Sequence, residues 1–222
     1  MKVMVFDLDD TLYDEMSYVR SGFHAVAVEL ARQYKQDSCK LFQVMWNHLQ
    51  RHGRGTVFDA ALEAIGRRNK INVRQCVSVY RQHQPQLTLY DDAEHILSYL
   101  EKKSIPIYIV TDGNKIVQYN KIRSLNLESR MRKCFITHRH SIKYSKPSPY
   151  CFHKIVQIEK VEPQDIVYVG DNIAKDFVGI KPLGFETVRV MRGSYISLVR
   201  EEKFHARYEV NSLMELKKLY TF

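Results

Sequence analysis

The sequence predicts a doubly wound (Rossmann-like) parallel α/β sheet with an all-helical unit inserted after its first strand. Three observations carry that expectation. From about residue 86 onward, short apolar runs alternate with amphipathic helical patterns, the signature of βα units. Between about residues 15 and 85, four helical patterns follow one another with no strand between them. Several of the apolar runs end in acids or hydroxyls, where open α/β sheets gather function. The expected division is therefore a core of residues 1–14 and 86–222, with 15–85 as the insertion.

Val3-Met4-Val5-Phe6 opens the chain, four apolar residues in a row, as in a central strand buried on both faces. Apolar residues at spacings of three and four then mark helices near 16–34, 38–50, 56–68 and 73–82, with Thr56 as N-cap of the third. Pro85 closes the series. Asp91 or Asp92 caps the next helix, and Ile105 to Val110 reads as a strand with Pro106 at its entrance. A helix over 115–125, a strand over 133–137 and a helix over 149–158 follow. Ile166 to Val169 is a further buried strand, succeeded by a helix near 174–182 and a strand over 186–191. Ala206 to Val210 reads as a short edge strand, and Ser212 as the cap of a last helix over 213–220.

At 222 residues, 45% hydrophobic and 27% charged, the chain can bury a sizeable core without disulfides. The net charge of +9 suits anionic partners, but the basic residues are scattered, which argues against a nucleic-acid surface. Cys39, Cys76, Cys134 and Cys151 form no CxxC pair, as expected in a reducing compartment. No secretory signal is read at the start, and no apolar run approaches the roughly 20 residues of a membrane span. A cytoplasmic location is expected.

Asp7 and Asp9 stand where the first strand leaves the sheet. Two apart in extended backbone, they lie on the same side, and they repel unless a cation or a proton intervenes. One can hold a divalent metal and attack while the other carries a proton. The alternative is a polar strand exit in which Asp9-Asp10-Thr11 caps the next helix. The second strand ends in Thr111-Asp112-Gly113-Asn114, a hydroxyl followed by a turn that can offer N–H groups to an anion. Lys146 stands before Pro147 at a helix entrance, placed to offset negative charge. Gly170-Asp171 through Asp176 adds two more carboxylates after the fourth strand.

These four pieces, in this order, resemble the haloacid dehalogenase-like hydrolase superfamily. Its DxDx[TV] motif is matched by Asp7-Leu8-Asp9-Asp10-Thr11, its strand-terminal hydroxyl by Thr111, its lysine by Lys146 and its GDxxxxD motif by Gly170-Asp171 through Asp176. The inserted helices look like that family's C1 cap. The resemblance implies Asp7 as nucleophile, forming an aspartyl-phosphate, and Asp9 as general acid and base. It implies Mg²⁺ held by Asp7, the backbone carbonyl of Asp9 and Asp171, with Asp176 either a further ligand or just behind the ligands. Thr111, Asp112, Asn114 and Lys146 would bind the phosphate, Thr111 and Lys146 also offsetting its charge. The family's dehalogenases lack the second acid, so Asp9 favours phosphoryl chemistry. The implied activity is a phosphomonoesterase acting on a small soluble ester, such as a sugar phosphate or nucleotide monophosphate. The alternatives are a phosphomutase of the same family, or a catalytically quiet protein that binds phosphate or nucleotide.

Among residues outside the motifs, His48 and His52 have a metal-compatible spacing but lack a third ligand, and read as a polar helix face. His138 and His140 read as surface residues. Arg51, Arg54, Arg67 and Arg68 read as solvated charge. Tyr13, Asp14 and Asn114 adjoin the motifs and are expected to touch substrate.

Overall fold

The computed structural model describes residues 2–221. They form two compact units, one of residues 2–15 and 87–221 and one of residues 16–86. The larger unit holds a six-stranded sheet in the order β3-β2-β1-β4-β5-β6, with every neighbouring pair parallel. β1 spans Val3–Phe6, β2 Ile107–Thr111 and β3 Lys133–Ile136. β4 spans Ile166–Gly170, β5 Glu186–Val190 and β6 Tyr208–Val210.

β1 sits between β2 and β4, and its four residues are fully buried, as an apolar run covered on both faces requires. Val3 and Val5 point to one face and pack with Tyr108, Val110, Tyr168, Phe152 and Phe177. Met4 and Phe6 point to the other. The chain runs outward from β1 to β2 and β3, then crosses to β4 on the opposite side. That reversal falls between β1 and β4, so their carboxyl ends flank the crevice where this sheet class binds ligands.

The smaller unit carries α1 (Glu15–Tyr34, whose first residue belongs to the larger unit), α2 (Ser38–His52), α3 (Val57–Glu63) and α4 (Lys70–Gln82). Its core is the apolar stripe of these helices, including Val19, Phe23, Leu30, Leu41, Met45 and Leu62. In the larger unit, α5 (Asp91–Lys102), α6 (Lys115–Ser124) and α7 (Tyr150–Glu159) connect the strands, and α8 (Leu216–Leu219) ends the series. No helix among the described residues is long and apolar enough to cross a membrane. All four cysteines are free.

Several elements differ from the pattern-based expectation, each for a local reason. α3 stops at Glu63, because the amide of Arg67 folds back onto the carbonyl of Leu62 (2.8 Å). α4 starts early, at Lys70, where the Asn69 side chain caps the Asn72 amide (2.9 Å). The helix expected over 174–182 is instead a run of turns ending in a 3₁₀ turn at Lys181–Leu183. Asp176 takes the Asn172 amide (2.9 Å) and Asn172 takes the Ala174 amide (3.0 Å), and such local bonds compete with helix. The last helix begins as a 3₁₀ turn, Leu213–Glu215, with Ser212 and Glu215 forming a capping box. Tyr90, rather than Asp91 or Asp92, occupies the cap position of α5.

Candidate active site

The carboxyl ends of β2, β1 and β4, three adjacent strands, bring their polar residues to one small cavity of about 140 Å³. Asp7, Asp9, Thr111, Asp112, Asp171 and Lys175 are among its walls. The Asp7 amide continues the β1 ladder onto the Val169 carbonyl (2.8 Å), so its side chain is aimed by the sheet itself.

Asp7, Asp171 and Asp176 are buried, and one carboxylate oxygen from each lies within 4.8 Å of the other two. Lys146 reaches into this cluster, 2.8 Å from Asp7 Oδ1 and 2.8 Å from Asp176 Oδ1, and donates to Tyr168 Oη (2.8 Å). Burial acts to lower the proton affinity of Lys146; Asp176 and Asp7 outweigh it and hold the ammonium well above its usual range. A single ammonium does not neutralise three acids. Burial, with Asp176 adding repulsion against the pull of Lys146, raises Asp7 to about 6. Burial, then Asp7 and Asp176, pushes Asp171 up to about 9. Among the described residues, Asp171 Oδ2 is buried with no hydrogen-bond partner, and Oδ1 accepts a long bond from Thr11 Oγ1 (3.5 Å). Excess buried negative charge, an orphaned oxygen and all-oxygen donors fit a hard divalent cation such as Mg²⁺.

Asp9 belongs to a different environment. Tyr13 Oη (2.5 Å) and Lys121 Nζ (2.6 Å) both donate to its Oδ1, and Gln118 Nε2 donates to Oδ2 (2.9 Å). Burial acts to raise Asp9, but the Lys121 charge and these hydrogen bonds prevail and hold it below the usual carboxylate range. Tyr13, pushed well above its ordinary value by burial and by Asp9, stays a phenol. Two carboxylates two residues apart therefore have opposite proton affinities, Asp7 raised and Asp9 lowered.

The remaining positions expected from sequence also have definite places. Thr111 is buried at the end of β2, where its Oγ1 accepts from Gln118 Nε2 (2.6 Å). Asp112 accepts from Thr137 Oγ1 (2.8 Å), the Lys146 amide (3.1 Å) and Lys175 Nζ (3.0 Å). Although burial opposes it, Lys146 and Lys175 keep Asp112 below its usual range. An ionised carboxylate has no donor for an anion, so the Asp112 side chain anchors the two lysines rather than gripping phosphate. Asn114 caps α6, accepting from the amides of Ile116 (3.0 Å) and Val117 (3.4 Å). Tyr13 is fully buried against Asp9, a correction to its expected contact with substrate. Asp10, φ +54°, caps the start of α1 through the Glu15 amide (2.9 Å), so the helix-cap reading of this stretch holds alongside the chemical one.

Sequence patterning missed Gln118, Lys121 and Lys175. A signal existed for the first two. In α6 the buried positions are Gln118, Lys121 and Ile122, so polar residues occupy the inward face of a helix, a conflict that flags function. Lys175 precedes the motif's final acid and carried no distinct pattern of its own. The histidine pair behaves as expected of a polar face, with His48 Nε2 2.8 Å from Thr56 Oγ1. Arg68 pairs with Asp59 (2.9 Å) and Glu63 (3.2 Å).

The family model of the haloacid dehalogenase-like hydrolases matches residues 1–184, most of the chain and the whole of this cavity's acidic framework. The chain belongs to the haloacid dehalogenase-like hydrolases. Within that family it is 27% identical to a glyceraldehyde 3-phosphate phosphatase of Pyrococcus furiosus, over 97% of this chain and 91% of that protein. It is 25% identical to an N-acylneuraminate-9-phosphatase of Rattus norvegicus (99% and 93% covered). It is likewise 27% identical to (S)-2-haloacid dehalogenase 1 of a Pseudomonas species (99% and 96%). Among solved structures, the HAD-hydrolase YfnB of Bacillus subtilis, crystallised with magnesium, shares the fold at a TM-score of 0.70 and 19% identity, covering 100% of this chain and 99% of that one.

Proposed function

We propose that this family member is a Mg²⁺-dependent phosphomonoesterase acting on a small soluble phosphate ester through an aspartyl-phosphate on Asp7. The observation that carries the reading is Asp9, a second carboxylate held by three donors beside Asp7 in one cavity. A departing halide needs no proton, whereas the oxygen of a phosphate ester leaves more easily when one is delivered. Overall identity does not separate phosphatases from a dehalogenase here, since relatives of both kinds reach 27%. Asp9 does.

In the proposed reaction an Asp7 carboxylate oxygen attacks phosphorus. The bond from phosphorus to the ester oxygen breaks, and that oxygen leaves with the electron pair and takes a proton from Asp9, a proton Asp9 has to gain against the pull of Lys121 while Asp7 gives its own up to attack. Asp9, now ionised, accepts a proton from water as the water oxygen attacks phosphorus, which releases inorganic phosphate and restores Asp7. Lys146 and the Thr111 hydroxyl offset the charge on the phosphoryl oxygens. Mg²⁺, held by the side chains of Asp7, Asp171 and Asp176 and by the Asp9 carbonyl, would screen the phosphate from the carboxylates and polarise a phosphoryl oxygen. The helical unit of residues 16–86 is read as the family's cap.

Phosphate release from 4-nitrophenyl phosphate and from a panel of phosphorylated metabolites, with and without Mg²⁺, tests the proposal. Release is expected with Mg²⁺, falling to background in Asp7→Asn. Robust turnover by Asp7→Asn overturns the nucleophile, and cleavage of a 2-haloacid without phosphate release overturns the substrate class.

A further inference from the structure

Two polar side chains on the buried face of α6 reach back to the motif that follows β1. Lys121 is only 3% exposed, and its Nζ lies 2.6 Å from Asp9 Oδ1. Gln118, also buried, places one nitrogen 2.9 Å from Asp9 Oδ2 and 2.6 Å from Thr111 Oγ1. We propose that Gln118 and Lys121 are positioning residues, which aim the Asp9 carboxylate at the leaving oxygen and the Thr111 hydroxyl at the phosphoryl group. The inference rests on Asp9 acting as the proton carrier.

The donor and acceptor inventory supports it. Gln118 presents its amide nitrogen, not its oxygen, to Asp9 Oδ2. The same nitrogen donates to Thr111 Oγ1, which occupies an acceptor site of that hydroxyl and leaves the Thr111 proton for an anion. One amide therefore sets the direction of two groups from different strands. Lys121 then holds the other Asp9 oxygen, together with Tyr13. A buried ion pair of this kind adds little stability over apolar residues of similar volume, so its use lies in direction. The turn after Thr111 keeps room for the amide. A β-carbon on Gly113, at φ +132°, would lie 3.3 Å from Gln118 Cγ and Cδ.

The test compares Lys121→Met and Gln118→Met with Asp9→Asn and the unaltered protein, all with Mg²⁺. One substrate is an alkyl phosphate, whose leaving oxygen needs a proton, and the other is 2,4-dinitrophenyl phosphate, whose leaving group does not. Both methionine variants are expected to lose about 10²-fold in kcat on the alkyl ester, the lower end of what a positioned proton carrier supplies. On the dinitrophenyl ester they should release one equivalent of phenol in a burst and then slow, because the attacking water still needs a base. For Lys121→Met, KM should change less than twofold. A purely structural role would lower both substrates alike, without a burst, and that result overturns the inference. If Asp9→Asn shows no leaving-group dependence, the role of Asp9 fails; if it does while the methionine variants do not, the inference alone fails. Should a methionine variant not fold, Gln118→Leu removes the donor without adding a charge, and is expected to give the same burst. Its absence counts against the proposal.

Discussion

Gly170 faces the Asp176 carboxylate so closely that a β-carbon on the glycine would lie 2.4 Å from Asp176 Oδ2. The end of β4 and the last acid of the cluster are thus fitted to each other with no room for a methyl group. Gly170→Ala must move Asp176, which also accepts the Asn172 amide and pairs with Lys146. Such overpacking costs about 1–3 kcal/mol. Mg²⁺ affinity, measured by calorimetric titration, is expected to fall at least tenfold, with activity falling at sub-saturating metal. Unchanged Mg²⁺ affinity would remove Asp176 from the metal site.

Lys146 lies between two buried acids, and Lys146→Met leaves Asp7 and Asp176 facing each other without it. Removing one partner of a buried pair costs about 3–5 kcal/mol. Without metal, the thermal midpoint should fall by about 6–20 °C, given roughly 2–4 °C per kcal/mol at this chain length. Saturating Mg²⁺ should recover part of that loss but not the activity. A variant with full activity and an unchanged midpoint would contradict the role assigned to the ammonium.

The acidic cluster also sets a pH dependence whose sign follows from its proton affinities. Asp7, raised to about 6, and Asp171, raised to about 9, hold protons when folded that the unfolded chain releases near 3.8. Their contribution to stability is complete below 3.8 and is lost as pH rises through 6 and then 9. Asp9 and Asp112 are shifted downward, so their opposite contribution is lost only in more acidic solution. Metal-free protein should therefore melt at progressively lower temperature between pH 6 and 9. Mg²⁺ competes with those protons, so its stabilising effect should grow over the same interval. Thermal scans with EDTA or Mg²⁺ at several pH values check both slopes, and a flat profile in both would refute the charge balance described.

How much of this was legible before the fold was known depended on whether a residue's neighbours in sequence were also its neighbours in space. β1 could be read because four apolar residues followed by two acids form a local signal. Asp171 and Asp176 could be read for the same reason, although the spacing suggested a helix where side chains of Asn172 and Asp176 hold the backbone in turns. Gln118 and Lys121 lie 109 and 112 positions from Asp9. Their pairing arises because β1 and β2 are neighbours in the sheet. Asp112 was placed with the phosphate by its position after Thr111. Its lysine partners, Lys146 and Lys175, come from later strand exits.

Asp92 offers a contrast, a carboxylate with many donors outside the acidic cluster. Arg192 grips it with two N–H groups (2.9 and 2.6 Å), Ser212 Oγ donates to it (3.0 Å) and so does the Leu213 amide (2.8 Å). The exit of β5 and the turn leading to α8 are thereby tied to the first turn of α5. Burial acts to raise Asp92, but the Arg192 and Leu213 bonds prevail and hold it below its usual range. Asp92→Ala leaves those donors unpaired, a loss of about 2–3 kcal/mol for charge-assisted bonds of this kind. The midpoint should fall by about 5–10 °C, while kcat at 25 °C stays within twofold, since its partners Arg192, Ser212 and Leu213 lie outside the acidic cluster. A large loss of kcat with an unchanged midpoint would mean that Asp92 takes part in the chemistry rather than in holding the sheet's edge together.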